Sequence, residues 1–398
     1  MRVFEINTVF DTGSTGRITA QIKRILEKNG HECFAAYGRG KSAESNTMRI
    51  GNTFDLYFHA LATRITDRTG FYSASATKEL IKKIREFAPD IIQLHNLHGY
   101  YIDIEFLFEF LKEYNKPVVW TLHDAWALTG HCTHFDYVGG EKCKTGCFNC
   151  PQKKEYPASI ILVMSEKNYC DKKRLFTNLN DLTIVTPSEW LASVVRQSFF
   201  SKYSVKVIEN GIDLNSFYPV ESDFKKRYNI EGRKIILGVA NGFGKRKGFD
   251  DFIKLSETLD RNYIIVMVGL SDKQIKILPE GIIGIAKTEN IRELVEIYSS
   301  ADFFVNLTLE DTYPTVNLEA IACGTPVITY NSGGSPETVT EKCGIAVNRG
   351  DIEAVADAVE KIDFSSEECI KRAKGFNMEQ KFQQYVELYN SIIHKSKA

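Results

Sequence analysis

Short apolar runs alternate with stretches of helical periodicity along most of this chain, and the alternation lapses near residue 205 and restarts after Pro219. Runs at 3–8, 32–36, 90–94, 118–122 and 183–185 read as buried strands, and 17–28, 78–87, 104–114 and 189–199 carry apolar residues at helical spacing. After the restart, strands are expected at 235–239, 264–268, 303–307 and 327–330, with helices such as 250–259 and 291–299 between them. Strict alternation of this kind buries a parallel sheet under helices on both faces. The expected fold class is therefore α/β with two doubly wound, Rossmann-like domains. Their bounds are read as 1–204 and 221–378, joined by a linker at 205–220, with a last amphipathic helix within 379–398. A length of 398 residues agrees, since one core rarely holds so many.

Composition excludes several classes. Lys+Arg at 50 against Asp+Glu at 51 leaves a net charge of −1, so no overall field favours nucleic acid. The opening MRVFEINTVF lacks the apolar core of a signal peptide, and no stretch reaches the eighteen or so apolar residues of a membrane span. The chain is expected in the cytoplasm, where its nine cysteines stay reduced unless they hold a metal.

The stretch LEDTYPTVNLEAIACGTPVITY, Leu309 to Tyr330, sets Asp311 eight residues before Glu319. The loop lies after one apolar strand and before a short helix expected at 316–323, which Gly324 ends. That is where doubly wound folds bind ligands, and where a helix N-terminus favours phosphate. Two carboxylates there can flank a diphosphate and accept from sugar hydroxyls. With Pro314, the Leu-Glu-Ala helix, Cys-Gly-Thr-Pro-Val, the later Gly333-Gly334-Ser335-Pro336-Glu337, Thr186-Pro187-Ser188-Glu189-Trp190 and Glu209-Asn210-Gly211-Ile212-Asp213, the pattern resembles retaining GT-B glycosyltransferases of family 4. Asp311 stands in place of the first glutamate of their E-x7-E signature. The resemblance implies two Rossmann-like domains facing a central cleft, with the last helix crossing back to the first domain. It implies that Glu319 holds ribose, that Asp311 holds the hexose, and that Thr312, Tyr313, Pro314, Thr315 and Val316 contribute backbone contacts.

In the first half, Asp11-Thr12-Gly13-Ser14-Thr15-Gly16-Arg17 opens a helix after the first strand. Its glycines admit close backbone approach, and its N–H groups suit an anion. The resemblance places Gly16 near donor phosphates and Gly13 and Arg17 on the acceptor side. His95, His98 and His123 follow strand ends. His123 stands where family members carry a histidine beside the transferred sugar, and His95 is an acceptor-side candidate. In the second half, Lys247 matches the family's phosphate lysine, while Asn241 occupies the place of an expected arginine, which Arg246 would replace. Such cations stabilise the leaving diphosphate, each donor contributing roughly 3–4 kcal/mol in a dry site. No Asp-x-Asp motif stands in a matching place, so no cofactor is expected for catalysis.

Cys132, Cys143, Cys147 and Cys150 fall in a long glycine-bearing stretch without clear periodicity, spaced to make a structural zinc site one candidate and a reduced loop the other. The resemblance implies a hexosyltransferase that uses a UDP- or GDP-sugar, with a glycan or lipid-linked oligosaccharide as acceptor, in bacterial capsule, exopolysaccharide or O-antigen assembly. A lipid-linked acceptor would bring peripheral contact with the inner face of the cytoplasmic membrane, and 63–68 and 82–85 supply local basic residues. One alternative is a nucleotide-sugar epimerase or hydrolase that uses no acceptor; another, which the Asn241 and Asp311 departures keep open, is a non-catalytic nucleotide-sugar-binding subunit.

Overall fold

The computed structural model describes residues 1–139 and 146–397. The chain divides into two compact units, Met1–Ile208 together with the segment from Phe382 onward, and Glu209–Lys381. The first holds seven parallel strands: β1 (Arg2–Val9), β2 (Glu32–Arg39), β3 (Thr47–Arg49), β4 (Ile91–Leu94), β5 (Val118–Thr121), β6 (Leu182–Thr186) and β7 (Ser204–Val207). Their order is β3-β2-β1-β4-β5-β6-β7, so the winding reverses between β1 and β4. The second holds β8 (Lys234–Val239), β9 (Tyr263–Val268), β10 (Ile282–Ile285), β11 (Phe303–Asn306), β12 (Val327–Tyr330) and β13 (Gly344–Val347) in the order β10-β9-β8-β11-β12-β13, reversing between β8 and β11. At each reversal two loops leave the carboxyl ends of adjacent strands in opposite directions and open a crevice for a ligand.

Strands covered on both faces must be apolar on both, and the second sheet obeys this. Ile235, Leu237, Ile264 and Val266 pack into one core, while Ile236, Ile265, Met267 and Ile328 pack into another. The first sheet differs. Phe4, Ile6, Ile92, Leu94 and Trp120 face an apolar core under the helices Ala74–Phe87, Ile104–Tyr114 and Ser165–Phe176. Glu5, Asn7, Gln93 and Thr121, on the alternate positions, are fully buried as well. The last helix, Met378–Lys397, starts in the second unit and from Phe382 belongs to the first, where it helps close this polar face. Tyr389 donates to Gln93 Oε1 at 2.8 Å, and the Tyr385 hydroxyl meets Thr121 Oγ1 at 3.1 Å. From the helix Gly13–Lys28, Thr19 Oγ1 accepts from Asn7 Nδ2 at 2.9 Å. Asn7, Gln93 and Thr121 thus each have a partner across an element boundary, which ties those elements into one register.

The strands that the apolar runs leave unannounced are β3, β7, β10 and β13, the outermost strands of the two sheets. An edge strand buries less of itself, and β7 alternates between exposed and half-buried positions. Residues 205–207, read as linker, are its last three. The helix Thr53–Thr66 also escapes the apolar pattern, because its large side chains point outward: it buries only His59 and Thr63. Of the cations at 63–68 and 82–85, Arg68, Lys82 and Lys83 serve local pairs, while Arg64 is exposed. Arg68 binds Asp171 at 2.6 Å and lies over the Phe71 ring, and Lys82 and Lys83 pair with Glu79 and Glu86.

His59 pins the helix Thr53–Thr66 to the following turn. The Gly70 N–H donates to its Nε2 at 3.1 Å, so Nδ1 carries the hydrogen and donates to Ser73 Oγ at 2.8 Å. Burial drives its pKa from 6.5 down to about 3. Burial, opposed by Asp124, lowers His123 to about 4. The unfolded rings take up protons near pH 6.5 while the folded ones do not, so this stabilisation is complete above pH 6.5 and is lost as pH falls toward 4. Unfolding free energy measured by urea titration should therefore decline steadily from pH 6.5 to 4.5. His59→Gln should be less stable at neutral pH and show a shallower decline; a flat profile in the wild type would contradict the assignment.

Candidate functional site

In the second unit the loops after β8 and β11 converge at the reversal of winding. Lys247 ends a single 3-10 turn, Lys245–Lys247, and its Nζ lies 2.8 Å from Asp311 Oδ2. Both side chains are about four-fifths buried, at 22% and 19% exposure, so the pair is screened less than a surface one. The Leu309 N–H donates to the Arg246 carbonyl at 2.9 Å, and Arg246 Nη1 donates to the Glu310 carbonyl at 3.2 Å. The substitute guanidinium thus lies against the same loop as Asp311, whereas Asn241 is exposed.

Two glycines allow close backbone approach to the loop after β11, Gly248 from the loop after β8 and Gly333 from the loop after β12. Gly248 has φ +73°, and a Cβ there would overlap the Leu307 carbonyl oxygen. Gly333 has φ +55°, and a Cβ would overlap the Asp311 carbonyl oxygen, which accepts from the Gly334 N–H at 3.0 Å. The Tyr313 N–H donates to Asp311 Oδ1 at 3.2 Å. Asp311 is thereby fixed from both its backbone and its carboxylate.

The helix Thr315–Ala322 follows, with Pro314 at its N-cap and no side-chain cap on its first turn. Its N-terminal N–H groups, with Thr315 and Val316 half-buried at the surface, supply the anion-attracting end of a helix. Thr312, Tyr313 and Pro314 are buried, which limits them to backbone contacts with any ligand. Glu319 is half-buried one turn further on, and the buried Tyr298 donates to its Oε2 at 2.9 Å. Tyr313 OH donates to Glu209 Oε1 at 3.0 Å, and Lys381 Nζ meets Glu209 Oε2 at 2.5 Å. Tyr298 and Glu209 were not singled out from the sequence; Glu209 opens the quoted Glu-Asn-Gly-Ile-Asp run.

In the first unit the loops after β1 and β4 are tied together. Thr8 Oγ1 donates to the carbonyls of Asn96, at 3.0 Å, and of His98. Gly16 is buried under the turn, and its carbonyl accepts from the Asp11 N–H at 2.9 Å. Gly13 and Arg17 are exposed at the start of the first helix. His123, half-buried after β5, stacks on His95 with ring centroids 5.2 Å apart, and His123 Nε2 lies 3.0 Å from His95 Nδ1. His95 itself is 1% exposed, so the sequence assignment to direct acceptor contact is corrected: its ring lies behind that of His123. His98 Nε2 meets Asp124 Oδ2 at 2.7 Å, and the Trp126 N–H donates to Asp124 Oδ1 at 2.9 Å. Burial opposes ionisation of Asp124, but the charge and hydrogen bond of His98 hold its pKa at about 2.

Beyond His123, Cys132, Cys147 and Cys150 are buried, while Cys143 lies outside the described residues. Among the described residues no group of three or more His, Cys, Asp and Glu side chains is placed to hold a metal ion. Side-chain bonds tie the described part of this stretch to the rest of the unit. Buried Lys172 donates to the carbonyls of Trp126 and Thr129 at 2.8 and 3.0 Å, and the buried His131 Nδ1 bonds Asp67. A separate hollow of about 340 Å³, lined by Arg233, Asp260, Arg261 and Glu280 among others, lies at the amino ends of β8 and β9 and shares no residue with the loops above.

Comparison with known proteins agrees with this fold. The model of Glycosyltransferase Family 4 matches residues 15–216, and that of Glycosyl transferases group 1 matches 220–374. WcaC of Escherichia coli K12, provisionally named a colanic acid biosynthesis glycosyl transferase, is 24% identical over 381 residues, covering 88% of each chain. CapM of Staphylococcus aureus, a capsular polysaccharide biosynthesis glycosyltransferase, is 23% identical over 47% of this chain and 54% of its own. Among solved structures, Anabaena Alr3699/HepE in complex with UDP-glucose superposes with a TM-score of 0.67 at 14% identity, covering 98% of this chain and all of that one. The sucrose-phosphate synthase of Thermosynechococcus elongatus superposes at 0.72 with 16% identity, over 99% of each chain. With one family model spanning more than half of it and a second most of the rest, the chain belongs to the family 4 glycosyltransferases and has their GT-B architecture.

Proposed function

We propose that this glycosyltransferase moves a hexose from a UDP- or GDP-sugar to a glycan or lipid-linked glycan, with retention of configuration, in bacterial surface polysaccharide assembly. The observation that carries this reading is the pairing of Lys247 with Asp311 at the winding reversal, beside Arg246 and the first turn of Thr315–Ala322. Cleavage of the sugar–phosphate bond leaves negative charge on the diphosphate. Lys247, Arg246 and the helix N–H groups meet it there without a change of protonation state. Asp311 orients Lys247 and accepts from a hexose hydroxyl, and Glu319, held by Tyr298, accepts from ribose. In the first unit His123, kept neutral by burial, is the group offered to a sugar hydroxyl. The polysaccharide role is drawn from the names of WcaC and CapM, and the donor class from the UDP-glucose held by HepE. Retention is drawn from the family.

No helix among the described residues is long and apolar enough to cross a membrane. Contact with the inner face of the cytoplasmic membrane is proposed instead through the helix Thr53–Thr66, where Phe54, Tyr57, Phe58 and Leu61 are 76%, 69%, 55% and 60% exposed. The spacing puts them on one face, and the exposed Ile160 joins its C-terminal end through a bond from its N–H to the Arg64 carbonyl at 2.7 Å. An apolar helix face of this kind suits the boundary between headgroups and acyl chains.

Three outcomes are expected. Calorimetric titration of UDP and GDP should show one nucleotide bound, with Lys247→Ala and Glu319→Ala each weakening it roughly 10- to 100-fold, the scale of one charge-assisted hydrogen bond at about 1.5–3 kcal/mol. Unchanged affinity in both variants would remove the donor site from this loop. Turnover should persist through brief exposure to EDTA; immediate loss restored by magnesium or manganese would replace the side-chain cations with a divalent metal. Phe58→Asp with Leu61→Asp should abolish co-sedimentation with anionic vesicles while leaving nucleotide affinity intact, and equal sedimentation of variant and wild type would sink the membrane face.

A further inference from the structure

Behind His123 lies a chain of buried groups that the donor chemistry does not use. His123 Nε2 lies 3.0 Å from His95 Nδ1, and His95 Nε2 lies 3.7 Å from Glu5 Oε1. Both His95 Nε2 and Glu5 Oε1 are buried without another hydrogen-bond partner, so each is the group that can satisfy the other. The remaining oxygen, Glu5 Oε2, accepts from the Cys33 thiol at 3.5 Å. The backbone on either side is fixed: the His95 N–H donates to the Ile6 carbonyl, and Trp120 Nε1 donates to the His95 carbonyl, both at 2.9 Å.

The proton of this chain can be placed by elimination. An ionised Glu5 at 0% exposure would need strong donors. A neutral imidazole N–H from His95 at 3.7 Å is too distant to be one, and the cationic and phenolic neighbours are engaged elsewhere. Lys23 Nζ pairs with Glu27 at 2.7 Å and with Glu44 at 3.8 Å. Tyr385 is bonded to Thr121, and Tyr389 to Gln93. A thiol alone is a weak donor for a buried carboxylate. Burial also pushes the Glu5 pKa well above the ordinary range, against smaller opposing contributions from Cys33 and Lys23. Glu5 is therefore a neutral acid whose Oε1–H points at His95 Nε2. With Nε2 accepting, neutral His95 carries its hydrogen on Nδ1 and donates to His123 Nε2. With that nitrogen accepting in turn, neutral His123 carries its hydrogen on Nδ1.

We propose that Glu5 and His95 are positioning residues that hold His123 as its Nδ1–H tautomer, so that the ring presents a hydrogen-bond donor rather than an acceptor to a sugar hydroxyl. The tautomer is opposite to the Nε2–H form that a free histidine side chain prefers in water, which is why a buried acid is needed to set it. The consequence for the reaction rests on the reading of His123 as a sugar contact; the tautomer itself does not.

The test is nitrogen NMR of the full chain labelled with ¹⁵N-histidine, with the His95 and His123 signals assigned by His95→Gln and His123→Gln. Wild type should show Nδ1 protonated and Nε2 unprotonated in both rings. Glu5→Gln, which keeps an N–H donor for His95, should retain the pattern. Glu5→Leu should move His123 toward the Nε2–H form and lower kcat by about tenfold, the scale of one lost hydrogen bond, with nucleotide affinity unchanged. Should Glu5→Leu fail to fold, the wild-type and Glu5→Gln spectra still decide. An Nε2–H His123 in wild type, or one that stays Nδ1–H in folded Glu5→Leu, overturns the proposal. Full turnover in His123→Ala beside the expected wild-type spectrum would instead overturn the sugar-contact reading and leave the tautomer standing.

Discussion

The ion pair between Lys247 and Asp311 organises the second unit's functional loops. Removing either partner would leave the other's charge about four-fifths buried without its counter-ion, which is destabilising. Its position follows from topology. The winding reverses between β8 and β11, so the loop carrying the cations and the loop carrying the acids leave from neighbouring strand ends. Gly248 lets the loop after β8 approach Leu307 to a distance that a Cβ would forbid, and Gly333 does the same for the loop after β12 against Asp311. The uncapped first turn of Thr315–Ala322 then begins four residues after Asp311.

The first unit solves a different problem. Its parallel sheet has one apolar face and one where buried Glu5, Asn7, Gln93 and Thr121 stand among apolar residues such as Val3, Ile91 and Val119, and such polar groups are stable only if they satisfy one another. The first and last helices supply the partners, through Thr19 and through Tyr385 and Tyr389. This explains why the chain returns from the second unit to end on the first: Gln93 and Thr121 would otherwise lose hydrogen bonds. Glu5 and His95 belong to the same buried layer, which connects a structural feature of the sheet to the ring of His123.

Central strands could be read from the sequence because burial on both faces leaves a continuous apolar run, as in 303–307 and 327–330. Edge strands such as β7 and β13 could not, since partial exposure dilutes the run. The pairing of Lys247 with Asp311 was within reach, because both follow strand ends and family resemblance names them. Glu5 was not, although a charged residue inside a strand expected to be covered on both faces is itself a signal of a buried polar partner. His95 was placed correctly after a strand but at the wrong depth, because a sequence position after a strand end does not tell whether the ring points to solvent or beneath its neighbour. The helix Thr53–Thr66 was missed for the opposite reason: its apolar residues face outward, so no core periodicity marks it. For the cysteine stretch, spacing suggested a metal and one of its four cysteines lies outside the described residues; the bonds from Lys172 and Asp67, which also hold the described part, come from elements distant in sequence and leave no signal there.

The central claim is that a donor diphosphate is bound where Lys247 meets the helix Thr315–Ala322. A crystal structure with the tighter-binding of UDP and GDP tests it most directly. The account predicts diphosphate oxygens within hydrogen-bond distance of Lys247 Nζ and of the N–H groups at Thr315 and Val316, with the ribose hydroxyls on Glu319. A nucleotide bound elsewhere, with the Lys247–Asp311 pair and that helix end untouched, would contradict it.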